Sequence, residues 1–183
     1  MSSKNDLNGI LLDRVKLKIY AAEHHLNNII LLEHKLSDIS IPDIQVEVEV
    51  EIDCFLAQII AAIDALLIQI NNELALGIAN EKLDLSTVQS ALNSKTKNID
   101  LLSELHKASE RENWFRLLRE LGNRTMYRTI LQIKQEKFTL NVGDYVDKDL
   151  IQYFQDSIWN VRSIVDSIRT KEPLLRRSAK LPE

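Results

Sequence analysis

An all-α chain, folded as an antiparallel bundle of four to five helices, is the fold class this sequence predicts, on two observations. Turn-forming residues are scarce: four Gly and three Pro stand among 183 residues rich in Leu, Ile, Glu, Lys and Asn. That leaves little material for the tight turns of a sandwich or barrel. Apolar residues also recur at alternating spacings of three and four over long stretches, which is the period of an amphipathic helix. At this length one domain is expected, spanning 1–171, with 172–183 as a flexible C-terminal tail after Lys171.

Each element follows from its own pattern. Between Asn5 and Leu36, the residues Leu7, Leu11, Val15, Ile19, Ala22, Leu26 and Ile29 form one stripe and predict a first long helix. Pro42 then falls in a short connector. Val46–Ile52 alternates Val with Glu like a strand, yet no second alternating run lies nearby to pair with it. The set Val46, Val50, Phe55, Ile59, Ile63, Leu66 and Ile70 instead continues at helical spacing, predicting a helix from Val46 to Leu76 with Gly77 near its end. Ser86 with Gln89 matches a capping box opening a short helix, Thr87–Asn93, and Asp100–Lys107 adds another turn or two. Ser109 with Glu112 forms a second capping box before a basic helix running from Trp114 to about Ile130. Phe138–Tyr145 reads as an extended loop. Asp147 is the expected N-cap of a last helix whose seam is Leu150, Phe154, Ile158, Val161, Val165 and Ile168.

Composition excludes several function classes. A net charge of −4 does not support general nucleic-acid binding, so a nucleic-acid site must be a local patch. Cys54 is the only cysteine and lies among Ile52, Phe55 and Leu56, the setting of an inert core thiol. The apolar run Ile52–Ile70 is punctuated by Asp53, Gln58, Asp64 and Gln69, so a buried helix is expected in place of a membrane span. The N-terminal residues lack a signal-peptide layout, and the chain reads as cytoplasmic. His24, His25, His34 and His106 make neither Glu-x-x-His nor His-x-x-x-His spacing, and no phosphate-binding glycine loop or G-x-S-x-G elbow occurs. No metal and no cofactor is expected.

Charge is distributed unevenly. Asp43–Asp53 holds five acids and no base, whereas Glu110–Lys137 holds seven bases against four acids. Both segments fit solvated faces that pair casually; alternatively the acidic start of the long helix meets the basic helix, within one chain or across a dimer. Within the basic helix, a rotation of about 100° per residue places Arg116, Arg119, Asn123 and Tyr127 within roughly 80° of one another. Trp114, Leu117, Leu118, Leu121 and Thr125 form the opposing core stripe. Guanidinium, amide and phenol groups on one face can grip a phosphate and stack on a base. The same face also fits a solvated helix with local pairs such as Arg116 with Glu120.

The segment Leu118–Arg128, L-R-E-L-G-N-R-T-M-Y-R, resembles the signature helix of HEPN domains, L-R-x-x-R-N-x-x-x-H-R. Gly122 stands where that family has its catalytic Arg, and Tyr127 where it has its His. The resemblance implies an HEPN-like bundle whose signature face lines a cleft between two subunits. It points to Arg116, Arg119, Asn123, Arg124, Tyr127 and Arg128 as binding residues, and the two departures leave no catalytic pair. A phenol titrates near 10, far from the neutral range in which an imidazole moves protons. The expected function is a catalytically inactive, dimeric module that binds RNA, a nucleotide or a partner protein. Two alternatives stay open. One is a metal-independent endoribonuclease of a toxin–antitoxin or defence system, for which the resemblance implies a nucleotidyltransferase partner. The other is a purely structural helical bundle.

Overall fold

The computed structural model describes residues 9–36, 40–94, 99–110, 114–125, 130–140 and 148–176. Its long elements are α1 (Arg14–Glu33), α2 (Ile41–Glu73), α3 (Leu85–Ser94), α4 (Ile99–Glu110), α5 (Trp114–Thr125) and α6 (Leu150–Lys171). The chain is mostly helical, as the spacing predicts. That agrees with the all-α class, to which the chain adds one feature: Leu131–Lys134 (β1), Lys137–Leu140 (β2) and Lys148–Asp149 (β3) form a small antiparallel sheet in the order β1-β2-β3.

At 33 residues, α2 is about 50 Å long and is the spine of the molecule. Pro42 opens it and does not lie in a connector; at the first turn a missing N–H costs nothing and the fixed φ suits the helix. α1 runs antiparallel to it, held by Lys18 Nζ donating to Gln58 (2.7 Å), by His25 on Glu51 (2.7 Å) and by Asn28 on the same carboxylate (3.0 Å). α6 runs parallel to α2, with Phe55 and Phe154 stacked at 4.0 Å between centroids and both fully buried. The α6 seam of Leu150, Phe154, Ile158, Val161, Val165 and Ile168 is buried throughout, as its spacing requires.

Several boundaries differ from expectation for identifiable reasons. The first long helix is interrupted at Asp13, whose carboxylate caps α1 by accepting from the N–H groups of Val15 and Lys16. The same carboxylate receives two hydrogen bonds from Arg169 of α6, at 2.6 and 2.9 Å. Leu11 is accordingly exposed, and Leu7 lies outside the described residues. On α2 the buried stripe begins Ile44, Val48, Ile52, leaving the expected Val46 and Val50 in solvent. α2 ends at Glu73, before Gly77, because Ala75 takes the left-handed conformation (φ 49°) and buried Asn71 clamps both the N–H and the carbonyl of Ile78. Cys54 is half-buried at the edge of this helix and is not a core thiol.

The cap of α3 is Asp84, not Ser86. Its carboxylate accepts from the Thr87 N–H at 2.7 Å while Thr87 Oγ1 accepts from the Asp84 N–H, a reciprocal box with Thr in the usual Glu position. The Thr87 N–H, and after it the Ser86 hydroxyl, hold the Asp84 carboxyl below the usual carboxylate range. Ser109 belongs to α4 with its side chain outside the described residues, and Glu112 lies outside them altogether. Asp149 caps α6 through the Gln152 N–H; the expected cap, Asp147, lies outside the described residues.

Beyond the predicted end of the basic helix, and running into the predicted loop at Phe138, the chain forms a β1-β2 hairpin. Gln135 and Glu136 both adopt positive φ (48° and 59°), as a two-residue hairpin turn requires. Leu131, Phe138 and Leu140 are buried, and two carboxylates from the helices receive hairpin N–H groups: Glu49 from Leu131 and Glu33 from Phe138. The segment after α6 is not a free tail up to Arg176. Pro173–Arg176 forms a 3-10 turn, with Leu175 fully buried and its carbonyl accepting from Gln69. Arg176 itself donates to the carbonyls of Arg169 and Thr170.

Candidate nucleic-acid interface

α5 owes its position to four apolar side chains. Trp114, Phe115, Leu118 and Leu121 are buried, whereas Leu117 is only half-buried, so the core stripe is rotated from the expected one to include Phe115. Near its start α5 borders a small apolar gap of about 10 Å³ lined by residues including Ile63, Leu105 and Ile164. That volume is no larger than one water's probe sphere. Trp114 Nε1 is buried there with no hydrogen-bond partner among the described residues.

α5 runs antiparallel to α2. Arg119 meets Asp64, and Gly122 meets Ile60 one turn earlier on α2. Two residues of α5 govern what it can do there. A Cβ built at Gly122 would stand 3.0 Å from Ile60 Cδ1 and 3.9 Å from Leu56 Cβ. The position at which the resembling family carries its catalytic Arg is therefore turned toward the spine helix and closely packed. Arg119 lies over the Phe115 ring, its Cζ 5.4 Å from the centroid, a cation–π distance. Its Nη2 is 3.6 Å from Asp64 Oδ1, too long for a hydrogen bond and short enough for charge attraction.

Of the six residues singled out from the sequence, three come together on the outer surface of α5: Arg116, Arg119 and Asn123 are exposed. Arg124 belongs to α5, but its side chain lies outside the described residues, as do Tyr127 and Arg128 altogether. The spacing of three and four residues along one helix places Arg116 and Asn123 on either side of Arg119. Two guanidinium groups and an amide so placed can donate to several oxygens of a phosphate backbone.

Sequence reasoning missed the partner of Arg119. Asp64 punctuates the apolar run of α2, and that was the available signal, because three of the four polar residues of that run meet other helices: Gln58 takes Lys18, Gln69 takes Arg169, and Asp64 takes Arg119. Burial pushes the Asp64 carboxyl up from its usual range, and the Arg119 charge works against that shift. Within the chain, the acidic start of α2 engages α1 and the hairpin. Glu51 engages His25 and Asn28 of α1, and Glu49 accepts from the hairpin backbone. Burial, and secondarily the charge of Asp53, push the Glu49 carboxyl up, against hydrogen bonds from Leu131 and Ile130. Glu47, in the same acidic start, is exposed.

Among the described residues, no group of three or more His, Cys, Asp or Glu is placed to hold a metal ion. None of the helices described is long and apolar enough to cross a membrane. No family model, curated protein or solved structure matches the chain.

Proposed function

We propose that this protein is an HEPN-like helical module that binds single-stranded RNA through the outer face of α5 and does not cleave it. The observation that carries the reading is the division of labour on that helix. Arg116, Arg119 and Asn123 face solvent in a row, while Gly122 is packed against Ile60. A row of guanidinium and amide donors supplies phosphate contacts. Cleavage would need a charged group and a proton carrier near neutrality at the positions of Gly122 and Tyr127. Glycine has no side chain, and a phenol holds its proton at neutral pH. The resemblance adds that two copies pair across this face, which would double the cationic surface offered to one strand.

The test is fluorescence anisotropy with a labelled single-stranded RNA, without divalent metal, for the wild type and Arg116→Ala/Arg119→Ala. Binding of the wild type should weaken steeply with salt. The double variant should bind more weakly, with a log–log salt slope shallower by about 1.4 if each Arg contacts one phosphate. Equal binding by both proteins removes α5 as the interface. Light scattering on the eluted protein tests the dimer: a monomer mass at micromolar concentration rejects it.

A further inference from the structure

The geometry around Arg119 points to a function for Asp64, and the inference rests on the RNA-binding reading above. Arg119 is held by two contacts that consume little of its donor capacity. One is the face of the Phe115 ring, and the other is the Asp64 carboxylate at 3.6 Å. A phosphate diester oxygen would occupy the same side of the guanidinium with shorter, bidentate bonds. The two side chains are 44% and 42% exposed, so an incoming strand can reach them. Asp64 Oδ1 itself is buried and has no hydrogen-bond partner among the described residues. The ion pair this carboxylate makes is with Arg119, and α2 fixes it in place.

We infer that Asp64 is a resident anion competitor, a carboxylate that neutralises Arg119 in the free protein and that an RNA phosphate must displace. It lies one helical turn beyond Ile60, the residue on which Gly122 rests, so the close approach of α5 to α2 brings the carboxylate within range of Arg119. Such an arrangement favours polyanions. A strand touching Arg116, Arg119 and Asn123 together offsets the loss of the Asp64 contact, whereas inorganic phosphate, reaching Arg119 alone, does not.

The experiment is a double-mutant cycle read by RNA anisotropy in metal-free buffer, on Asp64→Asn, Arg119→Ala and the pair. Glu81→Gln, which removes an exposed acid in a turn away from α5, controls for bulk charge. Asp64→Asn should bind about two- to fivefold more tightly, the range of a half-exposed ion pair. Glu81→Gln should match the wild type. In the Arg119→Ala background, Asp64→Asn should have no effect. Competition by inorganic phosphate should become measurable only in Asp64→Asn. Asp64→Ala, with its melting temperature checked beside it, should repeat the gain and guards against a folding defect in one variant. Two results overturn the inference and leave the RNA reading intact: an unchanged or weaker Asp64→Asn where the wild type binds, or a gain that persists without Arg119. No binding by any variant removes the RNA reading and the inference together.

Discussion

Replacing Gly122 by alanine sets two effects of similar size against each other. In a helix interior, Ala is favoured over Gly by about 1 kcal/mol. The added Cβ would meet Ile60 Cδ1 at 3.0 Å, while its approach to Leu56 Cβ at 3.9 Å is ordinary contact. Carbon atoms pack best at about 3.5–4.0 Å, so one methyl group must yield by at least about 0.5 Å. Turning Ile60 off its rotamer costs about 0.5–1.5 kcal/mol. Gly122→Ala alone should therefore leave stability within about 1 kcal/mol of the wild type. Ile60→Val removes the obstructing atom and, at a half-buried site, should cost about 0.5–1 kcal/mol. Once that atom is gone, alanine at 122 can express its full helical preference. The double variant should then exceed the additive expectation by about 1 kcal/mol. Urea melts of the four proteins measure this. Additivity within about 0.4 kcal/mol would refute the packing account, as would a full 1 kcal/mol gain from Gly122→Ala alone. Gly122→Arg starts from the same Cβ, so it should destabilise by about 1–3 kcal/mol and should not create RNA cleavage.

Other outcomes follow from particular contacts. Asp13→Asn breaks a pair in which both side chains are only 11% exposed and leaves the Arg169 guanidinium without its counter-charge, with Gln69 still accepting from it, so urea melts should lose about 3 kcal/mol. Burial pushes the Asp13 carboxyl up, but Arg169 and the Lys16 N–H outweigh it and hold the group below its usual range. Its stabilisation is thus complete above the unfolded value near 3.9 and disappears as pH falls through the lower folded value; acid melts of Arg169→Met should lack this component. Phe154→Ala empties one side of the Phe55 stack and should cost about 3–5 kcal/mol in urea melts. Ala75→Gly relieves a left-handed alanine at the end of α2 and should raise stability by up to about 1 kcal/mol in thermal melts.

Much of the fold was legible because one stripe per helix was unambiguous. The α6 seam reads directly from Leu150 to Ile168, since most of the residues off it are polar, with Ile151, Tyr153, Trp159 and Ile164 the apolar exceptions. The start of α2 offers two equivalent stripes, Val46/Val50 and Ile44/Val48/Ile52, and only packing against α1 and the hairpin chooses the second. The hairpin was hidden because its turn is Gln135-Glu136, two good helix formers, in place of Asn-Gly. The alternation of Leu131 with Ile133 and of Phe138 with Leu140 was its visible trace. Asp13 and Asp64 were missed for a common reason. Each looks like an ordinary polar interruption until the fold supplies its arginine, and for Asp13 that partner lies 156 residues away. On α5, the exposed row of Arg116, Arg119 and Asn123 came from the sequence, whereas the Phe115 and Asp64 contacts of Arg119 required the structure.

The most direct test of the central claim is titration of a labelled single-stranded RNA with this protein in metal-free buffer, resolved on native and denaturing gels in parallel. The account predicts a shifted band on the native gel that fades between about 50 and 200 mM salt, and full-length RNA on the denaturing gel. Cleaved RNA, or no shift at the lowest salt, would contradict it.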